Sequence, residues 1–306
     1  MDKGKKDFLS VIIINYNGRD YLKRTLSSLK KELANLKLSS EIIIVDNAST
    51  DGSLSLISEE FSGIKLIPLS QNFGFARAAN IGARASLGEY LLFLNHDVEI
   101  LPNFFDKLIA FLSSHANYAV ATPAVLNPDG SFQLSFGFDL NLFSEFFLKY
   151  FAQRWFALRF RFRPQKMSRD IDWASGVALL IRRQPFFEVG GFDERYFLYV
   201  EDADLGLRLR QAGYKIRYLP EARIIHHRGA TASKFPRLAL VEAKKGQLLY
   251  YSLHNSRLSF LLLKAYLLSQ FKLKSFLTRF SRNNLKRSIY LEVIETIQGF
   301  THASNS

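Results

Sequence analysis

The sequence predicts an α/β fold with a mostly parallel sheet flanked by helices and a C-terminal helical appendage. Short aliphatic runs alternate with helical patterns through the first hundred residues. This alternation is typical of right-handed βαβ units. Beyond Pro236 the pattern becomes long and helical. We therefore expect one domain over residues 1–235, with halves at about 8–100 and 101–235, followed by a basic, amphipathic helical region at 236–306.

The first half contains four predicted strands, separated by helices with apolar residues at helical spacing. The strands are expected at 9–14, 41–45, 64–69 and 90–94, and the helices around 22–29, 53–57 and 75–87. The second half is less regular. It contains a hairpin turn at 127–130, strands at 177–181, 214–219 and 222–225, and a helix at 201–212.

Composition narrows the class of protein. The chain has 306 residues, 48% of them hydrophobic, which is ample for a buried core. It has no Cys, so disulfides and thiolate metal sites are excluded. The N-terminus is charged and has no apolar signal segment, which predicts a cytoplasmic protein. The longest apolar stretches, such as 258–263, are shorter than the ~20 residues of a spanning helix.

The net charge of +13 is unevenly distributed. Residues 243–291 contain ten Lys or Arg and no Asp or Glu, interleaved with Phe260, Tyr266, Phe271, Phe276 and Phe280. Residues 146–166 are also free of acids and rich in aromatic and basic residues. This combination favours an anionic partner, either a membrane or a nucleic acid. A dimer interface is the alternative for the same stretches.

Two acidic clusters carry the strongest chemical signal. Asn95-His96-Asp97 ends a predicted strand, and Glu201, Asp202 and Asp204 open a predicted helix. Such positions point into the crevice where open α/β sheets bind ligands. Asp97 could hold a divalent cation, and one acid of the second cluster could act as a general base. The alternatives are a turn aspartate, acids that complement the helix dipole, and an i,i+4 pair of Asp204 with Arg208.

Several further motifs bear on a phosphate-containing ligand. The chain has neither GxGxxG after the first strand nor a Walker A lysine loop, which argues against dinucleotide redox chemistry and P-loop chemistry.

Asp46 could meet a pyrimidine imide or only cap a helix. Gly74 opens a helix start that favours phosphate. Arg77, Asn80 and Arg84 share one helix face, which could equally be solvated. His226 and His227 end a strand, where imidazole could bind metal or phosphate.

Taken in order, these motifs resemble the family 2 inverting glycosyltransferases, in particular the bacterial rhamnosyltransferase-like subgroup. The resemblance covers roughly residues 8–233. It rests on segments 11–17, 45–53, 72–76, 94–97, 190–194 and 199–205, and on 220–222 with His226. It implies a Rossmann-like GT-A fold, a nucleotide-diphosphate-sugar donor (dTDP- or UDP-sugar) and a divalent metal, Mg or Mn. It also implies a glycan or polyprenyl-linked acceptor.

The resemblance assigns roles residue by residue. Asp202 would be the catalytic base, Asp97 the metal ligand and His226 its second ligand. Nucleotide-sugar binding would fall to Asn15, Asp46, Asn47, Asn72, Gly74, Arg77 and Asn95, with Asp46 at the base and Asn95 by the ribose. Acceptor binding would fall to Trp173, Gly176, Asp193 and Glu201.

The first acidic cluster departs from the family pattern. Many relatives have Asp where this chain has Asn95, which weakens two-carboxylate metal binding. The substitution also removes a strong acceptor for a ribose hydroxyl, which a deoxyribonucleotide donor would tolerate. His96 replaces a common Pro, and the sequence offers no physical account of it.

We therefore expect a metal-assisted glycosyltransferase on the inner membrane face that acts in cell-surface polysaccharide biosynthesis. It would bind no nucleic acid and could be a homo-oligomer. A sugar-phosphate nucleotidyltransferase would carry a Gly-rich basic loop near the first strand, which residues 15–19 do not resemble. A nucleic-acid-binding module rests on charge alone and would show steep salt dependence.

Overall fold

The computed structural model describes residues 5–145, 167–227, 235–280 and 284–302. Its strands are β1 (Lys5–Asn15), β2 (Ser39–Asp46), β3 (Ile64–Pro68), β4 (Gly88–Asn95), β5 (Val98–Ile100), β6 (Tyr118–Leu126), β7 (Phe132–Gln133), β8 (Phe136–Gly137), β9 (Arg169–Ile171), β10 (Trp173–Ala174), β11 (Ala178–Arg182) and β12 (Lys215–His226). Its helices are α1 (Arg19–Asn35), α2 (Ser53–Glu60), α3 (Gly74–Arg84), α4 (Phe104–Ser114), α5 (Arg183–Glu188), α6 (Glu201–Gln211), α7 (Pro236–His254), α8 (Arg257–Leu277) and α9 (Asn284–Gly299).

The central sheet has the order β3-β2-β1-β4-β11-β6-β12-β5. Strands β3, β2, β1 and β4 are parallel neighbours, as are β6 and β12, whereas β11 and β5 run antiparallel to theirs. This confirms the predicted α/β class with a mostly parallel sheet. The carboxyl ends of β1, β2 and β4 lie side by side, so the turns that follow them share one edge.

The core explains why these segments adopt their elements. The aliphatic residues of β1, including Val11 and Ile13, are fully buried, and α1 covers them with Leu22, Leu26 and Leu29. The i, i+4, i+7 spacing of those leucines gives one apolar helix face. Helix α3 is Ala-rich because it packs closely: a Cβ at Gly82 would lie 2.4 Å from Cγ2 of Ile12.

The predicted elements need three adjustments. Strand β5, helix α4 and strand β6 were not predicted individually. The two strands expected at 214–219 and 222–225 form the single strand β12, whose register shifts between Leu219 and Arg223. Pro220 in that interval cannot donate a ladder hydrogen bond, which accounts for the irregularity. Helix α3 ends at Arg84 rather than Leu87, since the hydroxyl of Ser86 donates to the carbonyl of Ala83 at its end.

The chain divides into two compact units. The first comprises the described parts of Met1–Asp139, Phe162–Arg195 and Asp202–Ala230, and the second those of Leu140–Arg161, Tyr196–Glu201 and Thr231–Ser306. The second unit contains α7, α8 and α9, in line with the predicted C-terminal helices. The domain boundary expected near residue 235 stays a prediction, and the basic stretch 146–166 lies outside the described residues. No helix among the described residues has both the length and the apolarity to cross a bilayer.

Candidate active site

The turns after β1 and β2 are joined by their own side chains. Asn15 and Asp46 are register partners, and Nδ2 of Asn15 donates to Oδ2 of Asp46 at 2.7 Å. The same nitrogen donates to Oγ of Ser49 at 3.1 Å, and the backbone N–H of Ser49 donates to Oδ1 of Asp46 at 2.8 Å. Asp46 is completely buried. The residue predicted to contact the base therefore also holds its own turn together.

Asn47, which follows β2, is anchored to the start of α3. Nδ2 of Asn47 donates to the carbonyl of Gly74 at 3.0 Å, and its Oδ1 accepts from the N–H of Phe73 at 3.2 Å. Oδ1 of Asn72 accepts from the N–H of Gly74 at 2.9 Å. Gly74 has a φ of 81°, a left-handed conformation that favours glycine. These contacts hold in place the backbone that leads into the N-terminus of α3.

One face of α3 clamps the segment 190–194. Nδ2 of Asn80 donates to the carbonyl of Phe192 at 2.8 Å, and its Oδ1 accepts from the N–H of Phe192 at 3.0 Å. Arg77 and Arg84 remain exposed, and each has a nitrogen within 3.8 Å of the carboxylate of Glu194. The predicted face is therefore solvated only in part. Asn80 is a buried positioning group.

Asp193, predicted to bind acceptor, lies in the clamped segment. Its carboxylate pairs with Arg195 at 2.6 Å. Burial would raise the pKa of Asp193, but the hydrogen bonds and charge of Arg195, together with the charge of Arg208, hold the pKa below its usual value. Asp193 is therefore ionised, and its role toward an acceptor stays a prediction.

Asp97 and His226 meet although 129 positions separate them in the sequence. Nε2 of His226 lies 3.2 Å from Oδ1 of Asp97, and both side chains are buried. The contact is not a well-directed hydrogen bond, so Oδ1 keeps an unused acceptor direction. Nδ1 of His226 faces the side-chain amide of Gln133 at 3.0 Å, which fixes the ring. Burial would raise the pKa of Asp97, but His226 and the charge of His96 lower it overall.

This pair fits a divalent metal as a two-residue donor set. Mg²⁺ takes few protein ligands and relies on substrate phosphates and water for the rest. A carboxylate oxygen without a directed partner beside an imidazole nitrogen meets that requirement. Among the described residues no cluster of three or more His, Asp or Glu forms a self-sufficient metal site. Binding would therefore depend on the ligand's own oxygens.

The structure accounts for His96. Its ring is 6% exposed, and Nδ1–H donates to the carbonyl of Ile14 at 3.2 Å. The hydroxyl of Thr25 donates to the carbonyl of His96 at 2.7 Å. A Cβ at Gly18 would lie 2.3 Å from Cδ2 of His96, so the ring packs directly against the β1–α1 turn. His96 thus fastens the end of β4 to β1 and α1.

Asn95 lies beside His96 at the end of β4. Its backbone N–H donates to the carbonyl of Val177 at 3.0 Å, and its side chain is partly exposed. That position places Asn95 at the same sheet edge as Asn15 and Asp46. Its contact with a ribose stays a prediction.

Asp202 lies in the first turn of helix α6, and its carboxylate is held by two backbone N–H groups. Oδ1 accepts from Ala203 at 2.8 Å, and Oδ2 accepts from Gly176 at 3.3 Å. Burial raises the pKa of Asp202 to about 6, against the lowering effect of those hydrogen bonds. Among the described residues, these hydrogen-bond donors to the carboxylate are backbone N–H groups and not cationic side chains. It can therefore both ionise near neutrality and accept a proton.

The other two acids of this cluster differ from Asp202. Asp204 is 1% exposed, and its Oδ2 accepts from Nε of Arg208 at 2.8 Å, the i,i+4 pair foreseen as the alternative. Glu201 is buried and belongs with residues 196–200 to the second unit. Two acids of this cluster, Asp202 and Asp204, lie in the first unit. Asp204 is neutralised by an arginine, and Asp202 is not.

Trp173 and Gly176 lie next to Asp202. Nε1 of Trp173 donates to the carbonyl of Phe138 at 2.8 Å, and a Cβ at Gly206 of α6 would lie 2.8 Å from Cβ of Trp173. A Cβ at Gly176 would lie 3.0 Å from the ring of Phe75. The structure therefore brings Trp173, Gly176 and Asp202 together at the packed junction of β10, β11 and α6.

Sequence reasoning missed Gln133 and Ser135. Both are buried, whereas Leu134 between them is 58% exposed, so they occupy one face of a short extended ribbon. Gln133 orients His226, and the carbonyl of Ser135 accepts from the N–H of Ser175 at 2.8 Å, next to Gly176. The alternation of polar and apolar residues at 132–135 was the available signal. This ribbon connects the pair of Asp97 and His226 to the segment that hydrogen-bonds Asp202.

Comparison with known proteins agrees with this geometry. The profile of Glycosyl transferase family 2 matches residues 10–189. An N-acetylglucosaminyl-diphospho-decaprenol L-rhamnosyltransferase of Mycobacterium tuberculosis is 33% identical over 247 residues, which are 75% of this chain and 79% of that protein. The rhamnosyltransferase WbbL of Escherichia coli is 27% identical over 227 residues, 71% of this chain and 82% of that protein.

Solved glycosyltransferases share the fold. The mannosyltransferase PcManGT of Pyrobaculum calidifontis, in complex with GDP-Man and Mn²⁺, aligns at a TM-score of 0.52 and 15% identity, covering 94% of this chain and 85% of that one. GalNAc-T7, with UDP, GalNAc and Mn²⁺, aligns at 0.55 and 20% identity over 80% of this chain. This chain spans 50% of the GalNAc-T7 chain. The GT-A fold is thereby confirmed. The chain belongs to glycosyltransferase family 2 and is a glycosyltransferase.

Proposed function

We propose that this enzyme transfers a sugar, with rhamnose the leading candidate, from a dTDP- or UDP-sugar to a hydroxyl of a lipid-linked or cell-surface glycan. Both named relatives are rhamnosyltransferases, and the name of one specifies a diphospho-decaprenol acceptor. Asn95 in place of an aspartate favours a donor without a ribose 2′-hydroxyl, which makes dTDP-rhamnose the first donor to test.

The carboxylate of Asp202 is the observation that carries the proposal. With a pKa raised to about 6, it is ionised at neutral pH yet basic enough to take a proton in the transition state. Asp202 removes the proton from an acceptor hydroxyl as that oxygen forms a bond to the anomeric carbon. The bond between this carbon and the diphosphate oxygen breaks on the opposite face, so the configuration inverts. Transfer thus occurs in one displacement.

The donor is held at the sheet edge formed by β1, β2 and β4. Asp46 and Asn15 support the turn where the base would bind, and Gly74 opens the helix N-terminus for phosphate. Asp97 and His226 would hold a divalent metal, which would supply charge neutralisation for the leaving diphosphate. Mn²⁺ in the two structural relatives supports this assignment.

The proposed acceptor places the enzyme on the inner face of the cell membrane as a peripheral protein. A lipid-linked acceptor presents its hydroxyl close to the bilayer surface. The acid-free sequence 243–291 supplies the matching positive charge.

A screen of donors tests this function. Purified protein is incubated with dTDP-rhamnose, UDP-hexoses and GDP-mannose, each with Mg²⁺ or Mn²⁺, and release of nucleoside diphosphate is measured. We expect metal-dependent release from dTDP-rhamnose or a UDP-sugar that is lost in Asp202→Asn. Turnover of GDP-mannose alone would contradict the donor assignment, and full activity of Asp202→Asn would contradict the mechanism.

A further inference from the structure

Helix α8 has two apolar stripes on opposite sides. The first is buried within the helical unit and consists of Phe260, Leu263, Leu267 and Phe271, each at most 2% exposed. The second is exposed and consists of Leu258 (66%), Leu261 (50%), Leu262 (48%), Leu273 (59%) and Phe276 (52%). Both stripes follow helical spacing. The helix therefore presents a complete apolar face outward after its core contacts are satisfied.

Single exposed leucines on a surface are ordinary. Here the positions 258, 262, 269, 273 and 276 recur at intervals of three, four and seven, with Ser269 the small member of the row. Phe280, just beyond the helix and 75% exposed, extends the same side. The regular spacing makes this a continuous surface, which we call the α8 outer face.

Helix α8, which carries this face, contains basic residues and no acid. Lys272 and Arg279 are exposed at its edge, and the sequence from 243 to 291 contains no acid. Other cations of the unit are used internally: Nζ of Lys264 donates to the carbonyls of Gln298 and Phe300 at the end of α9, at 3.0 and 2.7 Å. Lys245 pairs with Glu242 at 2.7 Å. Some of the ten basic residues therefore have partners within the protein, whereas Lys272 and Arg279 are exposed.

This charge distribution decides between two occupants. A contact between two copies of the α8 outer face would add cations to cations, because helix α8 offers no acid to pair with Lys272 or Arg279. An anionic bilayer surface complements both features, because the apolar side chains enter the acyl boundary and the cations meet headgroups.

We propose that the α8 outer face is the surface through which this protein lies on an anionic lipid bilayer. It deepens the proposed function, since a lipid-linked acceptor would be reached from this position, but its test requires neither donor nor acceptor. Phe260 and Phe271, candidates for insertion from sequence, are core residues instead.

The test is co-sedimentation of the full-length protein with vesicles of phosphatidylglycerol and phosphatidylcholine, and with vesicles of phosphatidylcholine alone. Leu262→Ser/Leu273→Ser/Phe276→Ser removes the apolar contact and should lower the partition coefficient ~100-fold. Lys272→Gln/Arg279→Gln should lower it ~25-fold at low salt and less at high salt. Matched controls are Leu87→Ser, 55% exposed in the first unit, and Lys107→Gln. Both should bind like the wild type.

A second measurement does not depend on loss of binding. Because the chain has no Cys, Phe276→Cys and Leu87→Cys each introduce one labelling site for a polarity-sensitive fluorophore. Anionic vesicles should shift the emission of the label at 276 to the blue and leave that at 87 unchanged. Circular dichroism of each variant confirms the fold.

Equal pelleting of the α8 triple variant and the wild type would overturn the proposal. So would a label at 276 that is indifferent to vesicles, or a wild-type dimer in sedimentation velocity that the triple variant abolishes without any vesicle binding. Because donor hydrolysis is assayed separately, loss of vesicle binding with intact hydrolysis leaves the glycosyltransferase function standing.

Discussion

The turns after β1 and β2 differ from the carboxylates of Asp97 and Asp202 in how their polar atoms are held. Both oxygens of Asp46 accept hydrogen bonds from Asn15 or Ser49, and Asn47 is bonded through its oxygen and its nitrogen. Asp97 retains a buried oxygen without a directed partner, and burial raises the pKa of Asp202. The oxygens of Asp202 also accept two backbone N–H groups, so Asp202 is distinguished by the effect of burial on its pKa and Asp97 by its spare acceptor direction.

The largest effect is expected on turnover from Asp202→Asn. The amide preserves shape but cannot take a proton, so turnover should fall at least ~10²–10⁴-fold. Affinity for nucleoside diphosphate should stay within a few-fold of the wild type. Steady-state kinetics with calorimetry checks both. Wild-type-like turnover would direct attention to Glu201.

A large loss of metal-dependent affinity should follow Asp97→Ala. The remaining imidazole of His226 offers one ligand in place of two, so affinity for dTDP or UDP in Mg²⁺ or Mn²⁺ should fall ~100-fold or more. Affinity in EDTA should change little. Calorimetry of the variant and the wild type in both conditions measures this difference. An unchanged response to metal would remove Asp97 from the site.

Asn47→Ala should act on the scaffold. The buried carbonyl of Gly74 and the partly buried N–H of Phe73 would lose their partner, which should lower the free energy of unfolding by about 2–3 kcal/mol. Asn72→Ala, which removes one partly buried hydrogen bond, is the matched control and should cost about 1 kcal/mol. Urea denaturation provides both numbers. If Asn47→Ala left stability intact and abolished turnover, Asn47 would act in turnover rather than in the scaffold.

A smaller effect on donor affinity is expected for His96→Ala. Without the ring beneath the β1–α1 turn, KM for donor should rise ~10-fold while kcat changes little. Gly18→Ala should be harmful in the wild type, where its Cβ would lie 2.3 Å from Cδ2 of His96. It should be milder in His96→Ala. The relief is partial, since Oδ1 of Asn15 would lie 2.5 Å from the same Cβ. Equal costs in both backgrounds would argue against this packing role.

Some residues of this candidate site were singled out from the sequence, and others were not. Asp97, Asp202 and His226 were chosen because strand ends and helix starts on an α/β sheet converge. The structure places His226 beside Asp97, and the roles of all three residues stay predictions. Gln133 was not, because its contact with His226 depends on a hairpin ribbon reaching a strand far along the chain. His96 was opaque for a similar reason, since its partners Ile14 and Gly18 lie on another strand and turn. Pairings between distant segments carry no local sequence signal.

Sequence-based prediction of the fold has the same limit, because local patterns do not specify long-range packing. Strands β1 to β4 follow from short aliphatic runs bounded by turns. The antiparallel insertion of β11 between β4 and β6 could not be predicted, because strand order depends on long-range packing. In α8, one helical pattern contained two apolar stripes, and only the structure separated the buried stripe from the exposed one.

Asp202 is held in a buried environment that favours its reactivity at the expense of the stability of the folded protein. Its folded pKa of about 6 exceeds the ordinary value of ~3.9, so the unfolded chain releases the proton first as pH rises. The favourable contribution of the protonated form is present below pH ~4 and is lost as pH rises through about 6. An ionised Asp202 is therefore destabilising at neutral pH.

The most direct test is the free energy of unfolding of Asp202→Asn relative to the wild type, by urea denaturation at pH 7.5 and at pH 4. We expect the variant to be more stable by about 1–2 kcal/mol at pH 7.5, below the ~3 kcal/mol limit of a two-unit pKa shift because an amide repels one of the two N–H donors. Because the wild type regains about 2 kcal/mol as Asp202 is protonated, this advantage should be gone at pH 4, where the wild type should be equally stable or more stable by up to about 1 kcal/mol. A variant that is less stable than the wild type at pH 7.5 would contradict the account. So would a variant whose free energy of unfolding differs from that of the wild type by the same amount at both pH values.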